Sequence, residues 1–103
     1  MELLKDIGQL TKGCGVTFIK NDEFHFYEYL MVHPNNENYY LFIDNWSQEV
    51  VRIYVSELLN GDYYVGDFDT VFVNKKMIEF YKRMILCHEN RIKERLKRNE
   101  HKQ

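Results

Sequence analysis

The hydrophobic pattern of this chain changes rhythm twice. Leu3, Leu4, Ile7 and Leu10 fall at three- and four-residue steps, predicting a short helix over residues 2–12 that Gly13 stops. Gly8 weakens that helix by about 1 kcal/mol relative to alanine. The period then shortens. Val16-Thr17-Phe18-Ile19 reads as a strand from its branched and aromatic residues, and Asn21-Asp22-Glu23 has turn chemistry. Phe24 to Val32 is a second strand, ended by Pro34-Asn35-Asn36. Tyr39–Ile43 and Val50–Val55 are a third and a fourth, divided by a turn over Asn45–Gln48. Ser56 to Gly61 reads as one helical turn and Tyr63–Val65 as a short fifth strand. This strand–turn–strand spacing predicts antiparallel hairpins.

The helical rhythm returns in the last third. Met77, Tyr81, Met84, Ile85, His88, Ile92 and Leu96 predict a helix over 74–98. Asn74 can cap it, or Asp69 can, which would draw Thr70–Val73 into the helix. Twenty-five helical residues span about 37 Å, whereas a domain this size has a radius of gyration near ~13 Å. The far end therefore projects past the body or lies along its whole length. Met77, Met84, Ile85, Ile92 and Leu96 could pair with a second copy, but fewer than four clean heptads argue against a true coiled coil. The expected fold is α+β: an antiparallel sheet of four to five strands packed against the long C-terminal helix, with a short N-terminal helix. One domain over residues 1–98 and a frayed basic tail over 99–103 account for the chain.

Composition narrows the class. At 103 residues there is room for one domain. A hydrophobic share of 45% with sixteen aromatics is enough to offset chain entropy, which excludes wholesale disorder. No apolar run approaches the ~20 residues of a membrane span. The opening residues carry acids within a short apolar pattern, so no secretory signal is expected. Cys14 and Cys87 are too few for a disulfide framework, and a cytoplasmic location follows as the expectation. The net charge of −2 conceals a split. Residues 1–73 hold four Lys/Arg against twelve Asp/Glu, a net −8, and residues 74–103 hold ten against four, a net +6. An acidic body is joined to a basic segment, and such halves meet different partners or each other.

Candidate chemistry is sparse. His25 and His33 share a strand face but stand roughly 26 Å apart, too far for one ion. Asp67 and Asp69 lie on one face if extended, and Asp62 and Asp44 could join them around magnesium. The pattern Asp-x-Asp is weak, and a solvated turn with a helix cap explains it as well. Cys14 with His25 or His33 could form a nucleophilic pair, yet Cys14 also reads as a small buried apolar residue. No glycine run can cradle a phosphate. The reading is therefore no metal, no cofactor and no enzyme.

Aromatics are the unusual feature: fourteen of sixteen lie between Phe18 and Phe72. On the second strand Phe24, Phe26, Leu30 and Val32 make an apolar face broken by Glu28, and His25, Tyr27, Tyr29, Met31 and His33 make an amphipathic one. On the fourth, Val51, Ile53 and Val55 face inward and leave Arg52 and Tyr54 outside. Exposed aromatics of this kind stack on bases or anchor protein interfaces. The plainer alternative is a helix over that face, or tyrosines lying flat with wet hydroxyls. No ribonucleoprotein motif is present.

Three functions follow in order. The first is a non-enzymatic protein-binding domain whose acidic, tyrosine-rich surface (Asp44, Glu57, Asp62, Tyr63, Tyr64, Asp67, Asp69) docks a basic partner. It would suit an inhibitor of a nucleic-acid enzyme, of the kind mobile elements encode. The second is nucleic-acid binding by the basic helix and sheet aromatics, through Arg91, Arg95, Arg98, Tyr27, Tyr29 and Arg52. The third is a pocket that binds or sequesters a small ligand such as a nucleotide, lined by tyrosines and His25 or His33. No membrane partner is expected.

Overall fold

A computed structural model describes the chain from Met1 to His101, with side chains as far as Arg98. The elements are β1 (Glu2–Leu3), a 3-10 turn (Ile7–Gln9), β2 (Gly15–Lys20), β3 (Glu23–Val32), β4 (Tyr39–Asp44), β5 (Val50–Tyr54), α1 (Val55–Leu58), β6 (Tyr63–Val65) and α2 (Thr70–His101). Six strands form one sheet in the order β1-β6-β2-β3-β4-β5, with every neighbouring pair antiparallel. The α+β class stands, with six strands where four or five were expected. The tail expected over 99–103 begins inside α2, whose backbone stays helical to His101. Lys102 and Gln103 lie outside the described residues.

The additional strand comes from the segment read as a helix. Glu2 and Leu3 pair with Val65 and Tyr64, and the Leu4 N–H donates to the Tyr63 carbonyl at 2.9 Å. The chain then makes only a 3-10 turn. Asp6 Oδ1 accepts from the Gly8 N–H at 3.0 Å, and Gln9 Oε1 accepts from the Asp6 N–H at 2.9 Å. Leu4 is fully buried, and Ile7 and Leu10 pack against the same cluster. The spacing that suggested a helix is a spacing of core contacts. A strand partner more than sixty residues away satisfies backbone groups that a glycine-weakened helix would hold poorly.

Strands β2 to β5 form a meander, and β6 returns to the far side of β2. Since β5 and β6 run the same way, the segment between them must cross a face of the sheet. It crosses as α1, burying Leu58 completely. That face is the core: Leu4, Val16, Tyr29, Phe42, Ile53, Leu58 and Tyr63 cluster there. The register explains the choice. Tyr29 lies opposite Phe42, which lies opposite Val51, and Tyr27 lies between Val16 and Asp44. Residues directly opposite share a face. The amphipathic side of β3 is thus the buried one. The more apolar side, Phe24 and Phe26, belongs to the second face with Tyr64, Leu41 and Arg52.

Helix α2 starts at Thr70, the earlier of the two expected starts. Asp69 Oδ1 accepts from the N–H groups of Val71 and Phe72 at 3.0 and 3.2 Å, satisfying two donors that a helix start leaves free. Only the first turns pack on the second face. Val73 is buried, and Phe72 meets Tyr64 edge to face at 5.0 Å with Lys76 Nζ over both rings. From Tyr81 to Arg98 every residue is exposed. The helix thus packs against the sheet over its first turns only, and its far end projects past the body, the first of the two arrangements expected. A 32-residue helix is about 48 Å long and the six-residue strand β2 about 20 Å, so a straight helix outruns the sheet. The molecule measures 67 × 29 × 25 Å, and its radius of gyration is 19.0 Å.

Candidate functional site: an aromatic hollow with an acidic rim

Two hairpin turns meet at one end of the sheet. The β4–β5 turn is held by Asp44, whose Oδ1 accepts from the N–H groups of Trp46 at 2.8 Å and Ser47 at 3.4 Å. Gln48 takes a left-handed conformation (φ 60°), and its N–H donates to the Asp44 carbonyl at 2.7 Å. The Asn45 N–H donates to the Phe26 carbonyl at 3.0 Å, which fastens the turn to β3. This network holds Trp46 out in solvent, 72% exposed, beside Phe24 at 6.2 Å between ring centres.

Phe68 completes the group from the loop before α2. It stacks on Phe24 at 6.0 Å and tilts against Phe26 at 5.2 Å. The loop is fixed by the Gly66 N–H, which donates to the Gly15 carbonyl at 3.0 Å. Gly66 has φ 129°, a region that L side chains rarely adopt. Phe24, Phe26, Asn45, Trp46 and Phe68 line a hollow of about 390 Å³. An adjoining one of about 520 Å³ shares Phe24 and Trp46 and adds Asp22, Glu23, His25 and Asp44. Among the described residues no Lys or Arg forms an ion pair with Asp22, Glu23 or Asp44; the ion pair found is Lys76–Glu79 at 3.8 Å. Aromatic faces beside uncompensated carboxylates suit a cationic side chain, which gains from both ring quadrupole and charge.

The residues expected to dock a partner do not form one surface. Asp44 is at the hollow. Tyr63 is buried, and burial together with the charges of Tyr27, Glu57 and Asp62 drives its hydroxyl well above the usual tyrosine range. Tyr64 lies under Phe72 of α2. Asp67 lines an adjoining hollow with Gly13 and Glu28 that shares Phe26 and Asn45 with the one at Trp46, Asp62 lines another with Lys76 and Arg83, and Asp69 is engaged as a cap. Among the described residues, no group of three or more His, Cys, Asp or Glu could hold a metal. Cys14 is level with Tyr29, so His25 and His33 are each about four residues along β3, roughly 13 Å away and beyond hydrogen-bond reach.

The nucleic-acid set divides in the same way. Tyr29 is 8% exposed and Tyr27 is half-buried, so neither offers a face to a base. Arg52 is on the opposite face, its guanidinium 5.2 Å from the Tyr39 ring. Arg91, Arg95 and Arg98, at i, i+4 and i+7, form one exposed row on α2.

Phe24, Phe26, Trp46 and Phe68 were not selected from the sequence as a site. Phe24 and Phe26 looked like core, and Trp46 sat in a turn without a pattern. The one available signal was a tryptophan directly after Asp-Asn, since an Asx turn projects the following side chain. No significant match to this chain is found among protein-family models, curated proteins or solved structures.

Proposed function

We propose that this protein is a non-enzymatic binding domain that docks a basic segment of a partner protein in the hollow around Trp46. The observation that carries the reading is an exposed tryptophan, edge-on to Phe24, with three carboxylates at its rim that form no ion pair with Lys or Arg among the described residues. Tryptophan and arginine dominate the centres of protein interfaces, and an arginine in this hollow would stack and pair at once. The body's net charge of −8 would speed approach of a cationic partner. In its finer form the acidic rim stands where phosphates would sit on a nucleic-acid enzyme, and the protein is that enzyme's inhibitor, encoded by a mobile element.

Trp46 is the chain's one tryptophan, so its fluorescence reports on the hollow directly. A nona-arginine peptide should change that fluorescence saturably, more weakly at high salt. Asp22→Lys with Glu23→Lys should raise the Kd at least about tenfold, the ~1.4 kcal/mol of one lost charge-assisted contact. No change at about 1 mM peptide, or one indifferent to charge reversal, refutes the reading.

A second reading has one observation in its favour. The row Arg91, Arg95 and Arg98 stands clear of the acidic body. On that reading duplex or single-stranded nucleic acid binds α2, and alanine at these three positions lowers the salt slope of binding by up to three units.

A further inference from the structure

We infer that α2 is a dimerisation arm and that its partner is a second copy of this chain, lying antiparallel. From Tyr81 to Arg98 every described residue of the helix is exposed, yet the apolar stripe continues. Val71, Ile78, Ile85 and Ile92 recur every seven residues, with Asn74, Tyr81, His88 and Arg95 three positions after each and Leu96 one turn past Ile92; Ile85, His88, Ile92 and Leu96 are the members on the free arm. Ile78, Tyr81, Ile85, Ile92 and Leu96 are each at least half exposed. A seven-residue apolar repeat is matched by a second helix crossing at a shallow angle, whereas a flat or globular surface imposes no such period. A helix in water also draws most of its stability from packing, which this arm lacks in the single chain.

Charge sets both the occupant and its direction. Residues 81–98 hold seven Lys/Arg against two Glu, a net +5, while residues 1–69 carry a net −8. A parallel pair would set arm beside arm at their basic ends and body beside body. An antiparallel pair brings each basic tip to the other copy's acidic body. The helix leaves the body at the end of the sheet where Phe80 and Arg83 share a hollow with Asn21, Gly61 and Asp62. The eighteen residues from Met84 to His101 give about 27 Å of free helix. Full overlap puts Ile92 beside Ile92 of the other copy, sets Leu96 against its His88, and delivers Lys97 and Arg98 to the end that carries its Asp62. The paired stripe contains none of the residues that line the hollow at Trp46, although the other copy's basic tip arrives at the same end of the sheet, where Asn21 and Asp22 join β2 to β3; the mass measured without a basic peptide therefore tests pairing apart from binding in that hollow.

Analytical ultracentrifugation of the full chain from about 1 to about 100 µM tests the mass, and small-angle X-ray scattering tests the direction. The expected mass rises from 12.6 kDa to twice that value. The expected longest dimension is about 105 Å, two bodies of about 40 Å separated by about 27 Å of paired helix. A parallel pair would keep the 67 Å length of one chain. Ile85→Asp with Ile92→Asp should give a monomer whose Trp46 emission is unchanged, which shows the body still folded. Lys97→Glu with Arg98→Glu should weaken the dimer about tenfold or more. A monomer at the highest concentration, a dimer that survives the two aspartates, or a dimer no longer than one chain would each overturn the inference.

Discussion

Thr17→Val should make this protein more stable, a direction that few substitutions take. Thr17 is 0% exposed, and among the described residues its Oγ1 has no hydrogen-bond partner. It sits on the second face between Phe26 and Tyr64, near the start of α2. An unpaired buried hydroxyl costs roughly 1–3 kcal/mol on mutational scales. Valine replaces that hydroxyl with a methyl of similar shape and keeps a branched strand residue. The expected gain is about 1–2 kcal/mol, or a Tm rise of about 5–15 °C for a domain of this size. Urea unfolding, followed by Trp46 fluorescence and by circular dichroism, measures it. Thr17→Ser is the control: it keeps the hydroxyl, loses the methyl, and should cost about 1 kcal/mol. If valine is neutral or destabilising, the hydroxyl has a partner and the account of this face is wrong.

Three further predictions follow from single contacts. Gly15→Ala should cost about 1–3 kcal/mol, since the added Cβ would stand 2.7 Å from the Gly66 carbonyl oxygen and 3.0 Å from the Phe26 ring; an unchanged urea midpoint would contradict that crowding. Asp69→Ala removes the acceptor for two N–H groups of α2 and should lower stability by about 1 kcal/mol, whereas Asn74→Ala should do little; the reverse ranking in thermal melts would move the helix start. Tyr63 holds its proton more tightly folded than unfolded, so stability is complete below the unfolded tyrosine pKa near ~10 and falls as pH rises above it. Tyr63→Phe should flatten that alkaline limb, and equal slopes for the two proteins would show that the hydroxyl stays hydrated.

The class of the protein and most of its strands were legible in the order of residues alone. Aromatic and branched runs bounded by Asn, Asp, Gly and Pro marked β2 to β6 within a residue or two, because turn chemistry and side-chain branching act locally. The periodicity of α2 was equally local, as was the presence of two possible caps, while its 32 residues exceed the stretch expected over 74–98. Only the tertiary structure chose between those caps: Phe68 docks on Phe24 and Phe26, and this places Asp69 where the helix must begin.

Facing was settled by tertiary structure for the same reason. Both sides of β3 are apolar enough to bury, so period two could not name the core; the register with Phe42 and Val51 and the crossing of α1 did. Leu3 to Leu10 carried helical spacing, but β6 gave Glu2 and Leu3 a partner that no local pattern could announce. The hollow at Trp46 gathers Phe24, Trp46 and Phe68 from two hairpins and a distant loop, each 22 positions from the next. A stripe of apolar residues says that a helix face wants cover, but whether its own sheet is long enough to supply that cover is a matter of assembled dimensions. Here the helix runs on past the sheet, and from Tyr81 to Arg98 the single chain leaves that stripe uncovered.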